Sequence, residues 1–396
     1  MPGIKIIKWV GFLALLIWVM SSACKTPEPN DTVDIAQALS SDQDDACFAR
    51  ADQPRSIEFP KDLGPHNRYK TEWWYYTGNL FTNAGRHFGY QLTFFRQAID
   101  CVPPDKGEGR SDWRFNQLYF AHFAITDTQA GKFYSFQRMT RGSLGLAGAQ
   151  AAPFFVWIDN WSAKAAPGQG EKASVILKAR DQEQSGNQKK PSSKSAQINL
   201  TVTRTKPVIL QGQSGWSKKG PGLSDASYYY SFPGMETSGE LILGDTTHEV
   251  SGFSWFDHEW STSALNSDVA GWDWFAIHFD SGPHKGMDLM VCQVRKADGS
   301  PNGYEFGSIS FPDGRYTILG KDDFSIRNSR TWTSPESGRT YPSQWTIKIP
   351  GQELTFEVVP VMAGQEHTHM FTYYEGAVKV SSKSSSGFGH VEMTGY

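Results

Sequence analysis

The sequence predicts an all-β protein, folded as two antiparallel barrel or sandwich domains, on three observations. Short segments in which apolar and polar residues alternate recur between Gly, Pro, Asn and Asp, as in antiparallel strands with a face turned to a core. No comparably long stretch carries a period of 3.6 residues. The 396 residues exceed the size at which one core keeps growing, which favours two domains. With a mean hydropathy of -0.47, strands this numerous must close or pair face to face to hide their edges. Aromatic residues make up 14% of the chain, beyond what packing requires, so many of the rings should line something. The net charge is -3 and the basic residues are scattered, which leaves no positive stripe for a phosphate backbone and excludes nucleic acid as the expected partner.

Along the chain, Lys5 and Lys8 precede an apolar run from Trp9 to Met20, too short to span a bilayer comfortably, followed by Ser21-Ser22-Ala23 and Cys24. This is an export signal, residues 1–24, and its ending resembles a bacterial lipoprotein signal with Cys24 as the acylated residue; an ordinary secretory peptide cut near Ala23 is the alternative. Lys25, where an aspartate would retain a lipoprotein at the inner membrane, points to an outer-membrane anchor on the periplasmic side of the envelope. Residues 25–50 are polar and aperiodic and suit a tether. Of the remaining cysteines, Cys47 could bridge Cys101, leaving Cys292 buried and inert.

Strand alternation is plain at Phe88, Tyr90, Leu92 and Phe94, and similar runs occur at Leu118–Thr126, Phe154–Ile158, Ser174–Lys178, Gln197–Thr203, Tyr228–Phe232 and Leu241–Leu243. They continue at Trp272–Phe279, Asp288–Arg295, Trp345–Ile349, Leu354–Val358 and Gly376–Val380. The low-complexity stretch Asp181–Ala196 reads as a long hairpin loop, because alternation resumes directly after it; a linker is the alternative. The domain change is placed near Ser261–Asp268, giving domains at 51–262 and 263–396.

Four constellations could carry chemistry. In the first, Glu72 stands beside Trp73, Trp74, Tyr75 and Tyr76; four successive rings imply that both faces of the strand are covered, or that the rings plug a barrel end while Glu72 pairs with Arg96. The glycines of Gly212–Gly222 suit a tight loop without phosphate-loop spacing, read as structural. The third and densest runs through Asp257-His258-Glu259-Trp260 to Trp272-Asp273-Trp274. If extended, His258 and Trp260 share one direction, and Trp272, Trp274 and His278 share a face of the next strand, so that acid, imidazole and rings could converge. Such a set suits protonation of an apolar substrate, with indoles facing a developing cation; a shielded salt-bridge cluster between domains is the alternative. In the fourth, Asp288 shares a face with Met290, Cys292 and Val294, where desolvation would keep a carboxyl protonated, unless it merely caps the turn after Gly286. His367 and His369 form an H-x-H pair without a visible third ligand, so they are read as a polar strand face and no metal is expected.

Taken in order, the strings EWWYYTGNL, GRHFGYQLTFFR, GWSKKGPG, ASYYYSFP, VSGFSWFDHEWS, AGWDWF, YYEGAV and GFGHVEMTGY resemble the carotenoid 1,2-hydratase/AttH-like family across nearly the whole mature chain. The resemblance implies two tandem lipocalin-like β-barrels whose cavities hold apolar molecules. It also implies one of three activities: hydration of an isolated isoprenoid double bond, pericyclic chemistry, or an unassigned role beside ABC transporters. In the hydratases it points to a His-x-Trp pair, matched here by His258 and Trp260, and to a later Tyr-x-Asp, where Asp288 fits but Gly286 stands in place of the tyrosine.

Two functions are therefore carried forward. The favoured one is a periplasmic, lipid-anchored protein that binds an isoprenoid or lipid, with ABC transporter subunits as its candidate protein partner. The other is a hydro-lyase without cofactor that adds water to an isolated C=C bond. In that reading Asp288, His258, Trp260, Asp257 and Glu259 are the candidate catalytic residues, and Trp272, Trp274, Asp273, Glu72, Trp73 and Trp74 the candidate ligand-binding ones.

Overall fold

The computed structural model describes residues 33–34, 47–101, 116–167, 173–182, 195–263 and 269–396. Cys24, the 1–24 signal and most of the expected tether lie outside the described residues, as do 183–194 of the expected loop and part of the stretch where the domain change was placed.

The chain is nearly all β, in two sheets, each shaped as a barrel or half-barrel. Two-residue β1 (Val33–Asp34) precedes the N-terminal sheet. That sheet comprises β2 (Thr71–Phe81), β3 (His87–Ala98), β4 (Gln117–Asp127), β5 (Lys132–Arg141), β6 (Ala147–Gln150), β7 (Phe155–Ile158), β8 (Trp161–Ala165), β9 (Ser174–Gln182) and β10 (Ser195–Thr203). Short β11 (Ile209–Leu210) and β12 (Trp216–Lys218) and the long hairpin β13 (Ala226–Leu243) and β14 (Thr246–Ser261) complete it. Its order, β5-β4-β3-β2-β14-β13-β10-β9-β8-β7-β6, returns the last strand to the first, because β14 pairs with β2. β9 and β10 pair antiparallel from Gln182↔Ser195, so the polar stretch between them is a hairpin connection within one sheet.

The C-terminal sheet comprises β15 (Val269–Phe279), β16 (Asp288–Lys296), β17 (Phe306–Ser310), β18 (Tyr316–Gly320), β19 (Ser325–Thr333), β20 (Thr340–Ile349), β21 (Leu354–Pro360), β22 (Glu366–Thr368), β23 (Phe371–Ser381) and β24 (Ser386–Met393). The same closure recurs in it, since the last strand, β24, pairs with the first, β15. β1 joins this sheet, parallel to β23, with Val33 opposite Phe371. Thus part of the segment expected to need no fold is paired. The Cys47–Cys101 disulfide is formed, and Cys292 is free and buried.

Strand alternation sets apolar regions between the barrels as well as inside each of them. In the N-terminal barrel Trp74, Tyr76, Phe88, Tyr90, Leu92, Phe94, Tyr230, Phe256 and Trp260 point inward. In the C-terminal barrel Phe275, Ile277, Leu289, Val291, Trp345, Val378 and Val391 do so. The opposite faces of β2, β3, β13 and β14 do not meet water; they pack on β15, β16, β23 and β24, burying Tyr75, Tyr229, Trp255, Trp274, Met290, Cys292 and Phe306 between the barrels. That is why successive rings such as Trp73 to Tyr76 are tolerated in one strand: each face has its own cover. Close approach is built in at Gly89, where an added Cβ would come within 2.5 Å of Ala377 Cβ. Polar pins cross the same seam, Asn79 donating to the Gly389 carbonyl at 3.0 Å and Thr126 to Gln365 Oε1 at 2.7 Å.

Candidate functional site between the barrels

The alternation of β14 decides where its chemistry points. Phe256, His258 and Trp260 enter the N-terminal barrel, whereas Trp255, Asp257 and Glu259 face the seam. Neighbouring β2 presents Trp73 and Tyr75 there, and β13 presents Tyr229. From the other barrel come Trp272 and Trp274 of β15, Cys292 and Val294 of β16, Phe306 of β17 and Glu392 of β24. Together these line a cavity walled by rings and furnished with three carboxyls and Lys219.

Asp257 is the best supported of those carboxyls. Oδ1 accepts from Ser231 Oγ at 2.5 Å and Trp255 Nε1 at 2.7 Å, and Oδ2 accepts from Tyr229 OH at 2.7 Å. Burial pushes it up to about 7, with Glu259 adding to the effect and the three donors opposing it. Glu259 is bridged by Lys219 Nζ at 2.9 Å and accepts from Ser227 Oγ. The Lys219 ammonium also sits 3.9 Å from the Phe306 ring centroid. Glu392 hydrogen-bonds with the Trp272 side chain, and burial, reinforced by its cross-strand neighbour Glu375, holds it well above the ordinary carboxyl range. Glu375 itself accepts from Tyr75 OH at 2.8 Å, lies 2.7 Å from His390 Nε2, and is likewise raised by burial. The cavity therefore combines two carboxyls raised by burial, Asp257 and Glu392, with a third, Glu259, bridged to Lys219. This can give and take protons beside an apolar guest.

His258 and Trp260 do not reach this cavity. His258 is buried in the N-terminal barrel, with Nε2 2.9 Å from Glu72 Oε1 and Nδ1 2.9 Å from Tyr230 OH. Trp260 stacks on His66 at 3.7 Å. Glu72 also takes His66 Nδ1 at 2.7 Å and Arg96 Nε at 2.8 Å, so the expected Glu72–Arg96 pair is present. Against the cost of burial, Arg96 and His66 hold Glu72 well below its ordinary range. Burial lowers His258, while Glu72 and Asp62 overcome burial to raise His66. His66, Glu72 and His258 bring potential metal-ligating atoms within 4.8 Å of one another. Each of those atoms is already committed to a hydrogen bond, the two histidines on Glu72 Oε1, and the Arg96 guanidinium takes Oε2. Trp74 closes this cluster, donating Nε1 to the Leu63 carbonyl at 3.0 Å.

Asp288 lies elsewhere again. It does share its face with Met290, Cys292 and Val294, but at the far end of the seam it binds His278 Nδ1 at 2.6 Å and Lys206 Nζ at 2.5 Å. It is thus half of a charge pair between the barrels, not a solitary acid on an apolar face. Asp273 pairs with Arg295 at 3.0 Å and accepts from Tyr396 OH at 2.8 Å, also outside the cavity. His367 and His369 share Ser135 Oγ, at 2.6 and 2.8 Å. The structure thus gathers Asp257, Glu259, Trp73, Trp272 and Trp274, and separates them from His258, Trp260, Glu72, Trp74, Asp273 and Asp288.

Sequence reasoning missed Lys219, Tyr229, Tyr75, Phe306 and Glu392. Lys219 sits in the glycine-rich loop read as structural; the adjacent Lys218-Lys219 pair was the available signal. Glu392 is marked only by its alternation with Val391 and Met393, which face the C-terminal core.

A family model described as AttH-like matches residues 50–396. Among curated proteins, kievitone hydratase of Fusarium solani subsp. phaseoli is 26% identical over 207 residues, covering 50% of this chain and 56% of that protein. The dehydratase asqC of Emericella nidulans is 23% identical over 208 residues, covering 50% and 57%. The chain spans little more than half the length of these curated relatives. A crystal structure of a candidate AttH from Nitrosomonas europaea superposes with a TM-score of 0.72 at 30% identity, covering 88% of this chain and all of that one. Kievitone hydratase from Nectria haematococca shares the fold, with a TM-score of 0.58 at 14% identity, over 88% of this chain and 98% of that one. Relatives named as a hydratase and a dehydratase favour the hydro-lyase reading over the carrier reading preferred from sequence.

Proposed function

We propose, from the premise that this chain belongs to the AttH-like family, that it is a hydro-lyase acting on an apolar alkene held between its two barrels. One observation carries the reading: Asp257, balanced near neutrality by burial and three donors, stands on the wall of a cavity of aromatic rings. In the hydration direction its carboxyl gives a proton to one alkene carbon. The adjacent carbon becomes cationic beside Trp73, Trp272 and Trp274. Water adds to that carbon, and its surplus proton returns to the Asp257 carboxylate, so that atoms and charge balance over the cycle. Glu259, fixed by Lys219, is placed to accept a hydrogen bond from the incoming water, and burial favours the protonated form of Glu392 beside them. Dehydration is the same path reversed, and neither direction calls for a cofactor. The names of the two curated relatives support this class of reaction, and the acid assignment moves from Asp288 to Asp257.

The test uses a prenyl-bearing alkene in heavy-oxygen water. Labelled tertiary alcohol formed by the wild type and not by Asp257→Asn supports the assignment. Undiminished product from Asp257→Asn, or product lost only with Asp288→Asn, removes it.

The Cys47–Cys101 disulfide supports a second element of the reading, an oxidising compartment. With it we propose export by the 1–24 segment and lipid anchoring at Cys24 on the periplasmic side of the envelope. Mass spectrometry of the mature N-terminus tests this: an unmodified Cys24 overturns the anchor. A carrier role beside ABC transporter subunits rests on the family resemblance alone.

A further inference from the structure

The N-terminal barrel carries a cation that no acid answers. Arg204 follows β10, and its guanidinium lies 3.5 Å from the centroid of the Phe232 ring. Among the described residues it forms no ion pair and no side-chain hydrogen bond. Burial pushes it down, and among the described residues the titratable groups acting on it are the Tyr230 and Tyr76 hydroxyls, not a carboxylate. A half-buried guanidinium held over one ring and facing no counterion keeps its donors available to an anion.

Its position is as unusual as its isolation. Arg204 and Phe232 stand where two spaces meet. Inside the barrel is a small hollow walled by Leu63, Val175, Val202, Met235 and Phe256. Outside is an open groove bordered by Phe59, Thr203, Thr205 and Val208, with Glu236 also on its border. Lys206, the other cation of that groove, is already committed to Asp288 and the Gly286 carbonyl. Phe59 leaves 40% of its surface in water at this mouth while tilting towards Phe232. A guanidinium offers a planar pair of donors that matches a carboxylate edge on. With Phe59, Pro207 and Val208 lining the groove beside it and Glu236 on its border, a singly charged group with an apolar tail fits better than a dianion.

We propose that the mouth of the N-terminal barrel is a binding site for a small organic carboxylate, its oxygens on Arg204 and its tail along the open groove against Phe59, Pro207 and Val208. This site is separate from the cavity between the barrels: Phe232 borders it and pairs across the strands with Phe256, whereas Asp257 faces the other way.

Calorimetric titration of the whole purified chain with octanoate tests it, with acetate and octanol as comparison probes. Saturable binding at one site is expected for octanoate. Acetate, lacking the tail, and octanol, lacking the charge, should each bind at least tenfold more weakly. Arg204→Met should weaken octanoate at least tenfold while leaving the far-ultraviolet dichroism and melting curve those of a folded protein. Should that variant not fold, Arg204→Lys keeps the charge but loses the fork, and should weaken octanoate severalfold. Phe59→Ala, which removes an apolar wall of the groove, should weaken octanoate more than acetate. Absent octanoate binding, equal binding by octanol, or unchanged affinity in Arg204→Met or Arg204→Lys would each overturn the site.

Discussion

Asp257 and Asp288 are both buried aspartates on seam-facing strand positions, yet their surroundings assign them opposite duties. Three neutral donors surround Asp257, so its charge is tolerated but not demanded; Lys206 and His278 surround Asp288, so its charge is demanded. Asp257→Asn should therefore lower turnover by roughly 10²–10⁴-fold, the range of a lost general acid–base group, as steady-state rates would register. Asp288→Asn should leave the rate near wild type and instead cost about 1–3 kcal/mol of stability, read by denaturant unfolding, because its partners lose their acceptor. The proton behaviour of Asp257 has a sign. Its carboxyl is raised in the fold, to about 7, so its contribution is fully present below the unfolded value near 3.8 and is lost as pH rises towards 7. The difference in stability between wild type and Asp257→Asn should change across that window and level off above it; a difference flat with pH would contradict the raised carboxyl.

At the scale of the strand, alternation was readable and its consequences were only half so. The sequence shows that His258 and Trp260 point one way and Asp257 and Glu259 the other, but each direction is greasy, and nothing local says which leads to a cavity. In β14 the inward side is filled by the His66–Glu72–His258 cluster and the outward side is left partly open. Charged residues beside rings were a sound pointer to the Glu72–Arg96 pair, since a buried carboxylate needs a partner. The strand runs behind both barrels were equally legible. Lys219 and Glu392 were not, because one sits on a loop and the other joins Asp257 only through pairing across the two barrels. The Glu72 cluster makes its own prediction. Glu72→Gln should cost about 3–5 kcal/mol in denaturant unfolding by leaving Arg96 without its counter-charge. Glu72 is held low in the fold, so its stabilisation is present above the unfolded value near 4.5 and is lost as pH falls. Acid unfolding of Glu72→Gln should accordingly be less steep than that of the wild type.

For the molecule as a whole, the seam between the barrels is packed as a core in its own right, and a reaction placed there depends on both halves. Separately folded barrels would each expose Trp272, Trp274 or Tyr229 and hold an incomplete acid set. The Cys47–Cys101 bridge fastens the chain before β2 to the chain after β3, at a sequence separation of 54. In the chain-entropy account a loop of that length is worth about 4 kcal/mol. Replacing both cysteines by serine should lower unfolding stability by up to that amount; an unchanged transition midpoint would show that the bridge is dispensable.

β1 gives this architecture a mechanical polarity. Residues 33–34 are hydrogen-bonded alongside β23 of the C-terminal sheet, although Cys47, 13 positions later, is clamped to the N-terminal one. Tension applied from upstream of residue 33 would thus load the far half of the molecule first and the near half only after β1 had peeled away. A tug from a surface would in this way pull across the joint that holds the substrate space, rather than on one barrel alone.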